Sequence, residues 1–396
     1  MFQPSPWRAD FPAIAALQRQ HQTYLDSAAT TQKPKALLDA LSHYYGHGAA
    51  NVHRAQHLPG ALATQAFETR RDKVAAWLNA ADSRQIVFTH GATSALNLLA
   101  YGLEHRLEAG DEIAISALEH HANLLPWQQL AHRRNLRLVV LPLDAQGRID
   151  QDQALQLIGP RTRVLAISQL SNVLGTWQPL PALLAHARAQ GALTVVDGAQ
   201  GVVHGRQDMQ QLGCDFYVFS SHKLYGPDGV GVLYGRAQAL ELLRHWQFGG
   251  EMVQLAEYHS ASFRPAPLGF EAGTPPIAGV IGLGASLRYL CSLDADAVAN
   301  HDSVTDGDKI DAELKGEVET ALAEAKTALE GDDTDAITAK AQALTDVAMK
   351  MGQAIYSQEQ ASASPAGEDA AASGESKADE DVVDAEFSEV DEDAKG

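Results

Sequence analysis

The chain has 396 residues, enough for two or three domains, and a formal net charge of −20 that is unevenly placed. Residues 1–299 carry 24 acidic and 23 basic residues, whereas 300–396 carry 26 acidic residues, 7 lysines and no arginine, so two kinds of sequence meet near residue 300. The acidic end argues against nucleic acid and anionic membranes as partners, and two cysteines alone, Cys214 and Cys291, exclude a disulfide framework and point to a reducing, cytoplasmic setting.

The opening MFQPSPWRADFP has no apolar signal-like run, and nothing in the chain approaches the ~18 apolar residues of a membrane span. A short helix is expected from about Phe11 to Gln20, then an extended piece from Tyr24 into a polar turn ending at Thr31. Pro34 sits in the first turn of a helix running to about Tyr45. Residues 46–60 read as loop, containing Asn51-Val52-His53-Arg54, and helix resumes at about 62–78 with Phe67, Val74 and Trp77 on one face. A strand over Gln85 to His90 leads through Gly91-Ala92-Thr93-Ser94 into a helix from Ala95 to Gly102. Strand, small-residue turn and helix start form an anion site, because free N–H groups and the helix dipole both point outward. Thr93 either holds a phosphate there or simply caps the helix.

The next strand, Glu112 to Ser116, ends at Ala117-Leu118-Glu119-His120-His121-Ala122-Asn123. Neighbouring histidines seldom point the same way and no HxxxH spacing accompanies them, so no metal is assigned. His120 reads as a ligand-facing or a helix-capping residue. Strands follow at Leu136 to Leu141 and Val164 to Ser168, the latter running into Ser171-Asn172, and a helix spans about 180–190.

Three apolar, β-branched or aromatic runs then come in close succession, at 192–196, 215–219 and 229–234. Asp197 ends the first, and Lys223 lies four residues past the second. Alternating strands and helices predict an α/β domain with a mainly parallel, buried sheet and functional side chains at the strands' carboxyl ends. Thr93, His120, Asn172, Asp197 and Lys223 all fall at or just beyond such ends. A carboxylate and an amine at neighbouring strand mouths suit pyridoxal phosphate, whose ring nitrogen wants an acid and whose aldehyde wants a lysine. Taken alone, the pair is equally a strand-end Asp and an exposed Lys. GVG at 229–231 and GLG at 282–284 lack the dinucleotide pattern. Residues 236–247 read as helix, 248–270 as a Gly/Pro-punctuated connection, 270–276 as a polar turn and about 277–290 as helix.

Residues 1 to about 295 resemble the group II cysteine desulfurases of the class V aminotransferase family. The matching runs are YLDSAATTQKP, ANVHR, EHHANLLPW, SNVLGT, VVDGAQG, DFYVFSSHKLYGPDGVGVLYG and FEAGTPPIAGVIGLG. The resemblance implies a homodimeric, pyridoxal-phosphate-dependent enzyme of fold type I that converts L-cysteine to L-alanine. Its sulfur is taken up as a persulfide and passed to an acceptor protein for iron–sulfur cluster assembly. It implies that Lys223 holds the cofactor's aldehyde and moves protons at the substrate Cα, that Asp197 pairs with the ring nitrogen and that His120 stacks on the ring. Asn172 and Gln200 contact the phenolic oxygen. Ala92, Thr93, Ser220 and His222 hold the phosphate, and Thr274 reaches the partner subunit's phosphate.

Three departures accompany the resemblance. Ala92 stands where the family commonly has a threonine, and Ser221 where it usually has glycine. The family's small-domain loop, Arg-x-Gly-His-His-Cys-Ala, has no counterpart, and no arginine follows Arg288. Cys214 at a core strand and Cys291 at a helix end read as inert buried thiols. The expectation is a cofactor scaffold with an incomplete small domain and little desulfurase turnover. A selenocysteine lyase-like or other cofactor-dependent side activity is the alternative, and a non-catalytic interaction protein is another.

Residues from about 301 onward resemble the end of a DnaK-type heat-shock chaperone, in DGDKIDAELKGEVETALAEAKTALEGDDTDAITAKAQALTDVAMKMGQAIYSQ and DVVDAEFSEVDEDAK. Ile310, Leu314, Val318, Leu322 and Leu329 recur at helical spacing, and residues 331–335 form a turn, so 301–356 is expected as a helical hairpin. Residues 357–396 lack the apolar content to pack and are expected to be disordered. A calcium-loop echo at 302–313 puts Val304 on a ligand position and is read as chance.

Overall fold

The computed structural model describes residues 6–53 and 56–293, and helical positions at 317, 320, 321, 324, 339, 340 and 343. The chain divides into two units, Met1–Ser303 and Val304–Gly396. The first is built on seven strands: β1 (Ile86–Thr89), β2 (Glu112–Ser116), β3 (Arg137–Leu141), β4 (Thr162–Ser168), β5 (Leu193–Asp197), β6 (Phe216–Ser220) and β7 (Gly231–Gly235). Their order across the sheet is β1-β7-β6-β5-β4-β2-β3.

The strands β3, β2, β4, β5 and β6 run parallel, as the sequence pattern predicts. β7 runs antiparallel to both β6 and β1. The reason is length: residues 221–230 are too few for the crossover of a dozen or more residues that a parallel return needs.

Alternation along each strand feeds two cores. Tyr217, Phe219 and Val196 face one side, with Phe67, Leu183 and Leu283. Phe216, Val218 and Val195 face the other, with Leu99, Trp127 and Leu130. Burial on both faces makes the central strands read as near-continuous apolar runs.

The helices are α1 (Pro12–Arg19), α2 (Lys35–His47), α3 (Leu58–Trp77), α4 (Ala92–Leu103), α5 (His121–Arg134), α6 (Gln151–Leu157), α7 (Leu180–Ala189), α8 (Met209–Leu212), α9 (Ala237–Leu240) and α10 (Ile277–Leu293). Only the first part of the helix expected at 236–247 forms, as α9. The connection at 248–270 holds an antiparallel hairpin of β8 (Val253–Ala256) and β9 (Ala261–Phe263).

In the second unit, Lys340 Nζ lies 2.7 Å from the Glu324 carboxylate, both at helical positions. The remainder of the expected hairpin at 301–356 and the acidic tail at 357–396 lie outside the described residues. Among the described residues no helix is long and apolar enough to cross a membrane.

Candidate active site

Asp197 closes β5 and Lys223 follows β6, its parallel neighbour, so both emerge at the same edge of the sheet. Asp197 is buried, and its Oδ1 accepts from the Ala199 N–H at 2.9 Å. Burial raises its carboxyl pKa, while Lys223 and His120 pull it back down. Burial in turn lowers the pKa of the Lys223 amine, and Asp197 opposes that shift. A lysine displaced toward its neutral form is a nucleophile, and a buried acid facing it stabilises a cation between them.

His120 is the N-cap of α5, its Nδ1 accepting from the Ala122 N–H at 3.1 Å. One ring therefore caps a helix and also acts electrostatically on Asp197. Preceding it in the chain is Glu119, whose importance no spacing in the sequence reveals. Its carboxyl accepts from Ser116 Oγ (2.5 Å), Ser168 N–H (3.0 Å), Ser168 Oγ (2.6 Å) and Asn123 Nδ2 (2.7 Å). Burial raises its pKa against those hydrogen bonds. The network ties β2, β4 and α5 together at the residue before His120.

The strand, glycine turn and helix start expected there form, with the helix beginning one turn earlier than the sequence places it. Gly91 is the N-cap of α4 with φ +133°, a conformation that favours glycine. A Cβ on Gly231 would lie 2.4 Å from Gly91 Cα, so β7 approaches this turn only because residue 231 is glycine. Ser220 Oγ accepts from the Ala92 N–H at 2.8 Å, joining the end of β6 to the start of α4. Thr93 is exposed and, with His120, Tyr101 and Trp246, lines a cleft of about 680 Å³.

His222 is half-buried, and its pKa is lowered by burial, by Lys223 and by Lys33. Ser221 is fully buried with no hydrogen-bond partner at its Oγ. Gln200 donates from Nε2 to the Ala28 carbonyl at 2.8 Å. Asn172 is exposed on the turn after β4, and Thr274 is exposed beside a small recess that it lines with His90 and Ser94. Asp197, Lys223 and His120 thus interact, as do Ala92 and Ser220, whereas Asn172 is exposed on a turn and Thr274 lines a recess with His90 and Ser94.

Neither cysteine resembles a nucleophile. Cys214 is buried, and burial followed by the Asp215 charge pushes its thiol up to about 12. Cys291 is buried on α10. Among the described residues no group of three or more His, Cys, Asp or Glu is placed to hold a metal ion.

A buried carboxyl, a lysine amine whose pKa burial lowers, an imidazole and a glycine-started helix N-terminus fit the ring nitrogen, aldehyde, ring face and phosphate of pyridoxal phosphate. The Aminotransferase class-V family matches residues 23–352. That match continues past residue 300, so the comparisons support the aminotransferase family there and not the chaperone-lid reading of this stretch. A "Probable cysteine desulfurase" of Pseudomonas putida is 91% identical over 330 residues, covering 82% of this chain and 82% of that protein. A "Cysteine desulfurase" of Dickeya dadantii is 46% identical over 301 residues, covering 75% of this chain and 73% of its own. The solved structure of the cysteine desulfurase CsdA (S-sulfonic acid) from Escherichia coli is similar at a TM-score of 0.69 and 41% identity, covering 83% of this chain and 78% of that one.

Proposed function

The chain belongs to the class-V aminotransferase family, and from that premise we propose that it is a pyridoxal-phosphate-dependent cysteine desulfurase acting on L-cysteine. The observation that carries the reading is the reciprocal electrostatic pairing of buried Asp197 with Lys223 at adjacent strand mouths. The cofactor supplies an electron sink for bonds broken at the amino acid's Cα. Lys223 holds its aldehyde carbon and shuttles the proton at the substrate Cα. Asp197 keeps the ring nitrogen cationic, and His120 covers the ring face.

Ala92, Thr93, Ser220 and His222 hold the phosphate. The existing hydrogen bond between the Ala92 amide and the Ser220 hydroxyl supports placing both in one cradle. Asn172 and Gln200 serve the phenolic oxygen, and in a homodimer Thr274 serves the partner subunit's phosphate.

The finer part of the reading concerns the sulfur. Neither thiol lies in a reachable place: both are buried, and burial with the Asp215 charge pushes Cys214 up to about 12. Residues 301–396 contain no cysteine, so the nucleophile that the family uses is not supplied from there. Sulfur transfer to an acceptor protein in the cytoplasm is accordingly expected to be slow. Adding pyridoxal phosphate to the purified chain should give a visible absorption band, and Lys223→Ala should abolish it. An unchanged spectrum in that variant would sink the assignment of Lys223.

A further inference from the structure

Residues 28–33 form a strap across the mouths of β5 and β6. At one end, Gln200, three residues past Asp197, donates to the Ala28 carbonyl at 2.8 Å. At the other, donors from Thr30, Thr31 and Lys33 converge on one acceptor, the carbonyl oxygen of His222, immediately before Lys223. They are Thr31 N–H at 3.1 Å, Thr31 Oγ1 at 2.9 Å, Lys33 Nζ at 2.9 Å and Thr30 Oγ1 at 3.3 Å.

Thr31 does more than donate. Its Oγ1 also accepts from the Tyr225 N–H at 3.0 Å. One hydroxyl therefore bridges the carbonyl before Lys223 and the amide two residues after it. Tyr225 has φ +58°, a left-handed conformation that a tyrosine keeps only when its surroundings hold it. Thr31 is 4% exposed, so no bulk water replaces its hydroxyl. Lys33 adds charge to the same carbonyl. Burial lowers its pKa, and Asp228, 4.0 Å away and exposed, opposes the shift.

We propose that Thr31 is a positioning residue for Lys223, the peg by which the strap at 28–33 fixes the Lys223 turn relative to Asp197 and Gln200. The inference rests on the reading that Lys223 carries pyridoxal phosphate. A lysine side chain is long and flexible, so the direction from which its amine approaches depends on how firmly its backbone is held. The strap spans both strand exits and sets that direction.

The test uses the full chain with pyridoxal phosphate, comparing wild type with Thr31→Val, which keeps the shape but loses the hydroxyl, and Thr31→Ser, which restores it. The readouts are visible circular dichroism per bound cofactor, the cofactor's dissociation constant and the thermal midpoint of the cofactor-free chain. Thr31→Val is expected to weaken cofactor binding about tenfold and to reduce the visible dichroism. Thr31→Ser is expected to return both to near wild type. Wild-type dichroism and binding in Thr31→Val overturn the inference. So does a loss matched by a lowered cofactor-free midpoint that serine does not rescue, because Thr31 would then serve packing alone. A wild-type chain with no visible band overturns the reading of Lys223 itself, and the inference with it. If Thr31→Val does not fold, Lys33→Met, at a side chain 22% exposed, carries the test. A smaller loss of dichroism is then expected, and an unchanged signal overturns the proposal.

Discussion

The site is braced from behind by one buried ion pair, and its removal gives a calculable effect. Arg71 on α3 donates from two nitrogens to Glu271, at 2.6 and 3.0 Å, and to the Ile86 carbonyl at 2.9 Å. Glu271 also accepts from the Phe88 N–H at 2.7 Å, so it fixes β1 just before the Gly91 turn. Their side chains are 2% and 4% exposed. Glu271→Gln keeps an acceptor for Phe88 but turns an amide nitrogen toward the guanidinium. Removing one partner of a buried pair costs about 3–5 kcal/mol, because the remaining charge stays buried and uncompensated. Arg71 keeps Glu68 at 2.8 Å, whose side chain is 39% exposed, so the low end of that range, about 3 kcal/mol, is expected. That is a large share of the ~5–15 kcal/mol available to a folded protein. Urea unfolding of the cofactor-free chain measures it. The double variant Arg71→Met/Glu271→Gln should recover at least about 1 kcal/mol, since it removes the stranded charge. A single-variant loss below about 1 kcal/mol, or a double variant equal to the sum of the singles, would refute the buried-charge reasoning.

Glu68 is held at about 2, below its ordinary 4.5: burial pushes it up, but hydrogen bonds from His53 and Arg71 outweigh that. Its folded value is depressed, so its contribution is present above pH 4.5 and is lost as pH falls toward 2. Thermal midpoints across that window should fall less in Glu68→Gln than in wild type, and parallel profiles would contradict the assignment. Gly231→Ala places a Cβ 2.4 Å from Gly91 Cα and should weaken pyridoxal phosphate binding by at least about tenfold in a titration. Wild-type affinity would show that the close approach does not shape the cradle. A thiol-reactive chromogenic disulfide should label neither Cys214 nor Cys291 until urea unfolds the chain, and labelling of the native protein would mean an accessible nucleophile.

The strand mouths were legible because β-branched runs and their polar ends are local signals. Asp197 and Lys223 were placed from those signals alone. Helix α5 is signalled in the sequence only by the helix-capping reading of His120; Pro126 inside it is buried beside Trp127. The β8–β9 hairpin hid among glycines and prolines, with Leu255 and Tyr258 exposed rather than patterned against a core. The residues that brace the site were illegible for another reason. Thr31 meets Tyr225 across 194 positions, and Glu271 meets Phe88 across 183. No period or spacing encodes such pairings; only the completed sheet does. Glu119 sits just past β2, but its partner Ser168 is 49 positions on, at the end of the neighbouring strand β4.

We predict a working cofactor site whose two cysteines are both out of reach of substrate. The most direct measurement adds pyridoxal phosphate to the purified full chain, records the visible spectrum and assays sulfide released from L-cysteine. A Lys223-dependent absorption band with little or no sulfide is the predicted result. No band would contradict the site itself, and sulfide at the rate typical of a cysteine desulfurase would mean that a nucleophile other than the two buried thiols completes it.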